Sequence, residues 1–137
     1  PREPLHLVIV AAQFGLSTPS VFKQLDAGRA SGLYPASGKL VEPVELLSAL
    51  NSYDGSEAAL ASLAPLLRND LQAPALSCAP QLEQTLNLRD SEGVYASLVS
   101  GSGPTVLLLT SSQARAEALA STLRAAGNHA VSAVSAG

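Results

Sequence analysis

Two short segments carry the residue types from which a binding site could be built. The first is Val99-Ser-Gly-Ser-Gly-Pro-Thr-Val106. Two glycines spaced by one residue let a backbone turn sharply and approach a ligand closely. Successive N–H groups there, with the Ser100, Ser102 and Thr105 hydroxyls, supply the donors of an anion-binding nest. A hairpin turn of small residues has the same composition, so the loop alone names no ligand. It is neither a Walker loop nor a dinucleotide fingerprint, because no Gly-Lys-Ser/Thr follows and no helix opens after it. The second segment is Phe14-Gly-Leu-Ser-Thr-Pro-Ser-Val-Phe22. Thr18 reads as an N-cap and Pro19 as the first helical residue, whose missing N–H costs nothing there. The free N–H groups and dipole of such a helix start favour anions and polar ligand groups, and Phe22 follows one turn later. An ordinary Thr-Pro cap with Phe22 in the core would look alike.

The remaining polar residues point less firmly to chemistry. Asn69-Asp70 is the one paired polar motif in an apolar neighbourhood, suited to capping a helix or to hydrogen-bonding a neighbouring loop. His6 opens a buried strand and His129 lies in a helix-to-strand turn; neither has a nearby acid or Cys, so both read as structural or surface residues. Cys78, in an apolar helical stretch, reads as buried filler. One Cys excludes an internal disulfide and a Cys-rich zinc site, and two separated histidines argue against a His-based one, so no metal ligand is assigned. Spacing reveals no Ser-His-Asp or paired-carboxylate arrangement, so no catalytic residue is assigned either.

The elements that must position these segments follow from hydrophobic pattern. Leu5 to Ala12 is a continuous apolar, β-branched run and reads as a buried strand. A helix follows Thr18, with Val21, Phe22 and Leu25 inward and Gly28 as its stop. Ala27 to Val41, rich in Gly and Ser, reads as a long loop or lid. Helices are expected over Pro43 to Leu50 and Ser56 to Ala64, with Pro65 breaking the pattern. Another begins near Leu66 to Leu71, capped by Asn69 or Asp70, and a further one opens at Pro80 with Leu82 and Leu86 inward. Val94 to Val99 and Thr105 to Leu109 are strands. Ser111 or Ser112 caps a helix to Ala126 that buries Ala116, Leu119, Ala120 and Leu123; Gly127 ends it, and Ala130 to Val134 is a final strand. This order predicts an α+β fold: a ferredoxin-like four-stranded antiparallel sheet with helices on one face and extra helices inserted between the first and second strands.

Composition is consistent with that. The chain has 137 residues, 47% hydrophobic and 14% charged, enough for one domain with a sizeable core and far from a disordered composition. A formal net charge of -3 gives no electrostatic footprint for nucleic acid or an anionic membrane. No apolar run approaches the roughly 18 residues of a membrane span. Leu7 to Ala12 is strand-sized without a basic flank, so the cytoplasm is the expected location. With no Met, the chain reads as a processed protein or as a piece of a longer one.

Taken together, three motifs go further. Ser17-Thr-Pro-x-x-Phe22, Asn69-Asp-Leu71 and Ser100-Gly-Ser-Gly-Pro-Thr105, in that order, resemble the C-terminal domain of the GHMP kinases over nearly the whole chain. The closest likeness is to the branch acting on a cytidine-diphosphate-linked methylerythritol in the non-mevalonate route to isoprenoid precursors. The resemblance implies residues 1–137 as the C-terminal half of an ATP-dependent kinase that phosphorylates a hydroxyl group. It implies that ATP, with Mg, is bound mainly by an N-terminal domain, since this chain has no Gly-rich phosphate loop of that kind. That domain and the cytidine-diphosphate substrate are the implied partners, with self-association into a homodimer left open, and this chain alone is expected to be inactive. By similarity, Thr18 and Phe22 contribute to the substrate pocket, with Phe22 against the cytosine ring. Gly101, Ser102, Gly103 and Thr105 line the cleft and support the phosphate loop. The alternatives are a mevalonate-type or homoserine kinase of the same superfamily, and a free-standing, non-catalytic ferredoxin-like binding or regulatory domain.

Overall fold

The apolar run near the start forms β1 (His6–Ala11), and three later strands, β2 (Val94–Val99), β3 (Val106–Thr110) and β4 (His129–Val134), complete one sheet. Its order is β2-β3-β1-β4 with every neighbouring pair antiparallel. This is the ferredoxin-like arrangement, and the helices inserted between the first and second strands are present. These observations come from a computed structural model that describes residues 3–12, 14–34 and 44–135. The expected loop therefore lies outside the described residues from 35 onward, as does Pro43.

Strand alternation divides the core between the two faces of the sheet. On one face Val8, Val10, Val99, Val106, Leu108 and Ala130 pack against buried residues of four helices: α1 (Thr18–Ala30), α4 (Gln72–Cys78), α5 (Leu82–Leu86) and α6 (Gln113–Ala125). Here Val21, Ala75, Leu82, Leu86, Ala116 and Ala120 supply the helical side. This is the expected main helical layer. The inserted helices α2 (Val44–Asn51) and α3 (Glu57–Leu63) add a second, smaller cluster, in which Tyr53, Leu60 and Leu63 join Leu7, Leu109 and Tyr95. Leu7 and Leu109 alternate with Val8 and Leu108, so this cluster lies on the opposite face. Full burial of each such Leu contributes about 1.5–3 kcal/mol. Thr110 is the one buried polar residue among those described, and its hydroxyl donates to the His6 carbonyl at 2.8 Å.

Local signals explain most boundaries. Ser112 caps α6 by accepting from the Arg115 N–H, and Gly127 takes a φ of 93° just past the end of that helix. Pro65 ends α3 in a 3-10 turn, Ala64–Leu66. Three expectations for α1 need correction. Its N-cap is Ser17, which accepts from the Ser20 N–H, so Thr18 is the first helical residue. Phe22 points outward at 48% exposure, because Val21, Leu25 and Gly28 form the buried stripe at i, i+4 and i+7 and Phe22 is rotated off it by one residue. Gly28 lies inside the helix, which runs on to Ala30. Its lack of a side chain lets the Tyr34 ring pack onto the helix, and a Cβ there would collide with that ring.

Two further expectations also fail. Neither Asn69 nor Asp70 caps α4; Leu71 occupies that position without a side-chain bond. Cys78 is exposed rather than buried, since the inward stripe runs from Ala75 to Ala79 and Cys78 sits one residue off it. His129 lies exposed at the start of β4. His6 is half-buried, and its Nδ1 is the one buried side-chain polar atom without a hydrogen-bond partner among the described residues.

Candidate functional site

The correction at the start of α1 is what makes the site. Because Ser17 satisfies the helix cap, the Thr18 hydroxyl is available elsewhere, and its Oγ1 lies 2.9 Å from Ser102 Oγ. The two motifs, 84 residues apart, therefore meet through their hydroxyls on an exposed surface. Phe22 follows Thr18 at i+4, on the same face of α1, with about half of its surface open to solvent.

The connection between β2 and β3 is a tight turn. The Ser100 N–H donates to the Thr105 carbonyl at 2.8 Å, and the Gly103 N–H to the Ser100 carbonyl at 2.9 Å. Two left-handed positions shape it, with φ of 57° at Gly101 and 81° at Gly103. They differ in surroundings. A Cβ at Gly101 would meet nothing within 4 Å, whereas one at Gly103 would lie 3.1 Å from Val99 Cγ1 and 3.4 Å from Leu16 Cδ2. Gly103 is thus where the loop lies close against the core, and Gly101 is at its open side. Among the described residues, no hydrogen bond takes the Gly101 or Ser102 N–H as donor, so both remain available to a ligand.

Asn69 ties this loop to the helical layer. Its Nδ2 donates to the carbonyls of Val99 at 2.7 Å and Gly101 at 2.6 Å, while its Oδ1 accepts from the Leu71 N–H at 3.1 Å. Of the two roles read from the sequence, bonding a neighbouring loop is the one observed. Asp70, next to it, forms an ion pair with Arg29 in the last turn of α1 at 3.7 Å. With Asp70 largely exposed and the two groups 3.7 Å apart, that pair contributes no more than about 1 kcal/mol. Sequence reasoning missed Gln72, whose Oε1 accepts from the Val99 N–H at 3.0 Å. Its place three residues after Asn69, at the start of a helix, was the available signal. The Tyr34 hydroxyl, 2.8 Å from Ser77 Oγ, is a second missed link, joining the chain after α1 to the end of α4.

The surface thus assembled joins a pair of hydroxyls one turn from an exposed aromatic ring, and the adjoining loop carries two backbone N–H groups without a partner among the described residues. It holds donors for anionic oxygens and a platform for a planar ring. Among the described residues, no group of three or more His, Cys, Asp or Glu could hold a metal ion. No described helix is long and apolar enough to cross a membrane.

Comparison with known proteins bears on the family and the fold. The family model for the C-terminal region of GHMP kinases matches residues 45–129, more than half of the chain. A 4-diphosphocytidyl-2-C-methyl-D-erythritol kinase of Nocardia farcinica is 46% identical over 126 residues, covering 92% of this chain and 38% of that protein. The enzyme of the same name from Rhodococcus jostii is 43% identical over the same shares. The chain thus spans well under half the length of these relatives. Among solved structures, a 4-(cytidine 5'-diphospho)-2C-methyl-D-erythritol kinase superposes with a TM-score of 0.74 at 22% identity, over 98% of this chain and 44% of that one. A homoserine kinase from Cytophaga hutchinsonii reaches 0.56 at 16% identity, over 99% of this chain and 42% of that one. At such identities these two likenesses concern the fold, which is the α+β fold described above. By the match over residues 45–129, the chain belongs to the GHMP kinase C-terminal family.

Proposed function

We propose that residues 1–137 form the acceptor-binding domain of an ATP-dependent small-molecule kinase whose substrate is 4-diphosphocytidyl-2-C-methyl-D-erythritol. The observation that carries this reading is the Thr18–Ser102 contact of 2.9 Å, which joins the two candidate binding motifs beside an exposed Phe22. Phosphoryl transfer depends chiefly on positioning and on electrostatic stabilisation of the phosphates. A domain without a base can therefore serve the reaction by holding the acceptor and aligning its hydroxyl.

In this reading the Phe22 ring stacks on the cytosine, and the Thr18 and Ser102 hydroxyls meet polar oxygens of the acceptor. Gly101 and Gly103 keep the loop low enough for close approach, and Thr105 closes the turn behind them through its carbonyl. ATP supplies the phosphoryl group and is held mainly by an N-terminal domain of the same protein, together with magnesium. Among the described residues no group of three or more His, Cys, Asp or Glu could hold the magnesium, which would sit with the ATP phosphates on the N-terminal domain. The substrates are water-soluble phosphates, which suits a cytoplasmic enzyme.

The test is a phosphorylation assay on the full-length protein with ATP and, in parallel, the cytidine-diphosphate acceptor, mevalonate and homoserine. Phosphorylation of the first alone is expected, with no ATP turnover by the isolated chain. Preference for either other acceptor, or turnover by the isolated chain, would overturn the reading.

A further inference from the structure

The end of β2 presents an unusual closure. β2 is an edge strand, so every second residue directs its N–H and C=O away from β3, where no strand receives them. At Val99 both groups are captured by side chains: the N–H by Gln72 Oε1 at 3.0 Å and the carbonyl by Asn69 Nδ2 at 2.7 Å. Asn69 then uses its second amide hydrogen on the Gly101 carbonyl at 2.6 Å. Its amide oxygen is held by the Leu71 N–H at 3.1 Å, so both its donors and its acceptor are engaged and its orientation is fixed.

The Gly101 carbonyl shares a planar trans peptide with the Ser102 N–H, and the two point to opposite sides of the chain. Holding that carbonyl toward Asn69 turns the Ser102 N–H away from it. Gly101 has a φ of 57° and open space around it, so nothing in its own sterics stops this peptide from rotating. The Val99–Ser100 plane, two peptides earlier, follows the same rule, with the Val99 carbonyl on Asn69 and the Ser100 N–H on the Thr105 carbonyl at 2.8 Å.

We propose that Asn69 is a positioning residue for the acceptor: by pinning the Gly101–Ser102 peptide, it sets the direction of the Ser102 N–H beside the Thr18–Ser102 hydroxyl pair, where it donates to an anionic oxygen of the acceptor. The role rests on the kinase reading above. Asn69 itself touches backbone only and acts through Ser102.

The experiment uses the full-length protein and the variants Asn69→Asp, Asn69→Ala and Asn69→Ser, with kcat, both KM values and melting temperature measured. Asn69→Asp keeps the acceptor for the Leu71 N–H but sets a carboxylate against two carbonyls; Asn69→Ser keeps one donor. The acceptor KM is expected to rise about tenfold or more in Asp and Ala and by less in Ser, with the ATP KM within twofold of wild type. Should Asp or Ala fail to fold, the same split in the Ser variant decides. An acceptor KM within twofold of wild type in every folded variant, whatever the melting temperature, would reduce Asn69 to a structural residue and overturn the proposal. An equal rise in both KM values would overturn it as well. A wild-type protein that does not turn over this acceptor would instead overturn the kinase reading on which the role rests.

Discussion

A single methyl group added at Gly103, and separately at Gly101, separates two ways in which the Gly-rich loop constrains its sequence. Both residues are left-handed, at φ of 81° and 57°, so an L side chain at either costs about 1–2 kcal/mol in backbone strain. The surroundings differ. At Gly101 the new Cβ meets open space, while at Gly103 it falls 3.1 Å from Val99 Cγ1, 3.4 Å from Leu16 Cδ2 and 3.8 Å from Ala75 Cβ. Val99 and Ala75 are fully buried and packed on all sides, so they retreat only by disturbing the core. Overpacking of this kind adds about 1–3 kcal/mol. A less flexible unfolded chain offsets roughly 0.4–1 kcal/mol in both variants. The net destabilisation is then about 1 kcal/mol for Gly101→Ala and about 3 kcal/mol for Gly103→Ala. For a domain of this size these correspond to falls in melting temperature of roughly 3 °C and 10 °C. Thermal unfolding of the chain, followed by far-ultraviolet circular dichroism, reads both. Equal shifts, or a larger shift at Gly101, would refute the claim that the loop lies close against the core at Gly103.

Phe22→Ala in the full-length protein should raise the acceptor KM about ten- to a hundredfold with little change for ATP, on the scale of base–aromatic stacking of roughly 1–3 kcal/mol. Because Phe22 is about half exposed, the melting temperature should fall far less than the 3–5 kcal/mol loss of a core Phe would require; a large fall with unchanged KM would refute the stacking role. Ser112→Ala should cost about 1 kcal/mol by removing the α6 cap, while Ser111→Ala should be near neutral; equal losses in denaturant midpoint would contradict the assignment of the cap. Burial, reinforced by Asp54 and Glu3, pushes the Tyr53 phenol above its ordinary value near 10. The neutral form is therefore favoured in the fold, so its contribution is intact below the phenol's ordinary range and is lost as pH rises from there through the raised value. Tyr53→Phe should lessen the alkaline loss of stability, and an unchanged alkaline profile would refute this.

The strands, most helix starts and the Gly-rich turn were legible because they depend on local chemistry. β-Branched runs, Ser caps and glycines at left-handed positions signal themselves within a few residues. The errors at Phe22 and Cys78 arise one residue from a correct stripe, where a neighbour of a buried position is itself apolar and periodicity alone cannot say which of the two faces the sheet. The Ser17 cap was missed because Ser17 and Thr18 are both good caps, and the winner is set by where each hydroxyl can reach. The links made by Asn69, Gln72 and Tyr34 span between 27 and 43 residues, and such pairings become visible only once the helices dock. The candidate site was therefore readable as two separate motifs. Their meeting at Thr18 and Ser102 was a product of topology.

The sheet also sets a schedule for the newborn chain. β1 lies between β3 and β4, its register running from His6 opposite Thr110 on one side to His6 opposite Val134 on the other. Leu5 and Ser135, 130 residues apart, close the end of the β1–β4 pair through the Leu5 N–H and Ser135 Oγ at 2.7 Å. A ribosome makes β1 about a hundred residues before either partner, at a rate of about 5–20 residues per second. For several seconds, then, an apolar strand with both edges open waits for neighbours that have not been synthesised, while α1 to α5 can begin to gather around it. Such non-local pairing is slow to form and exposes the chain to wrong partners. The arrival of β4 ends that interval, which makes the last strand the step at which nascent copies either complete the sheet or pair with one another.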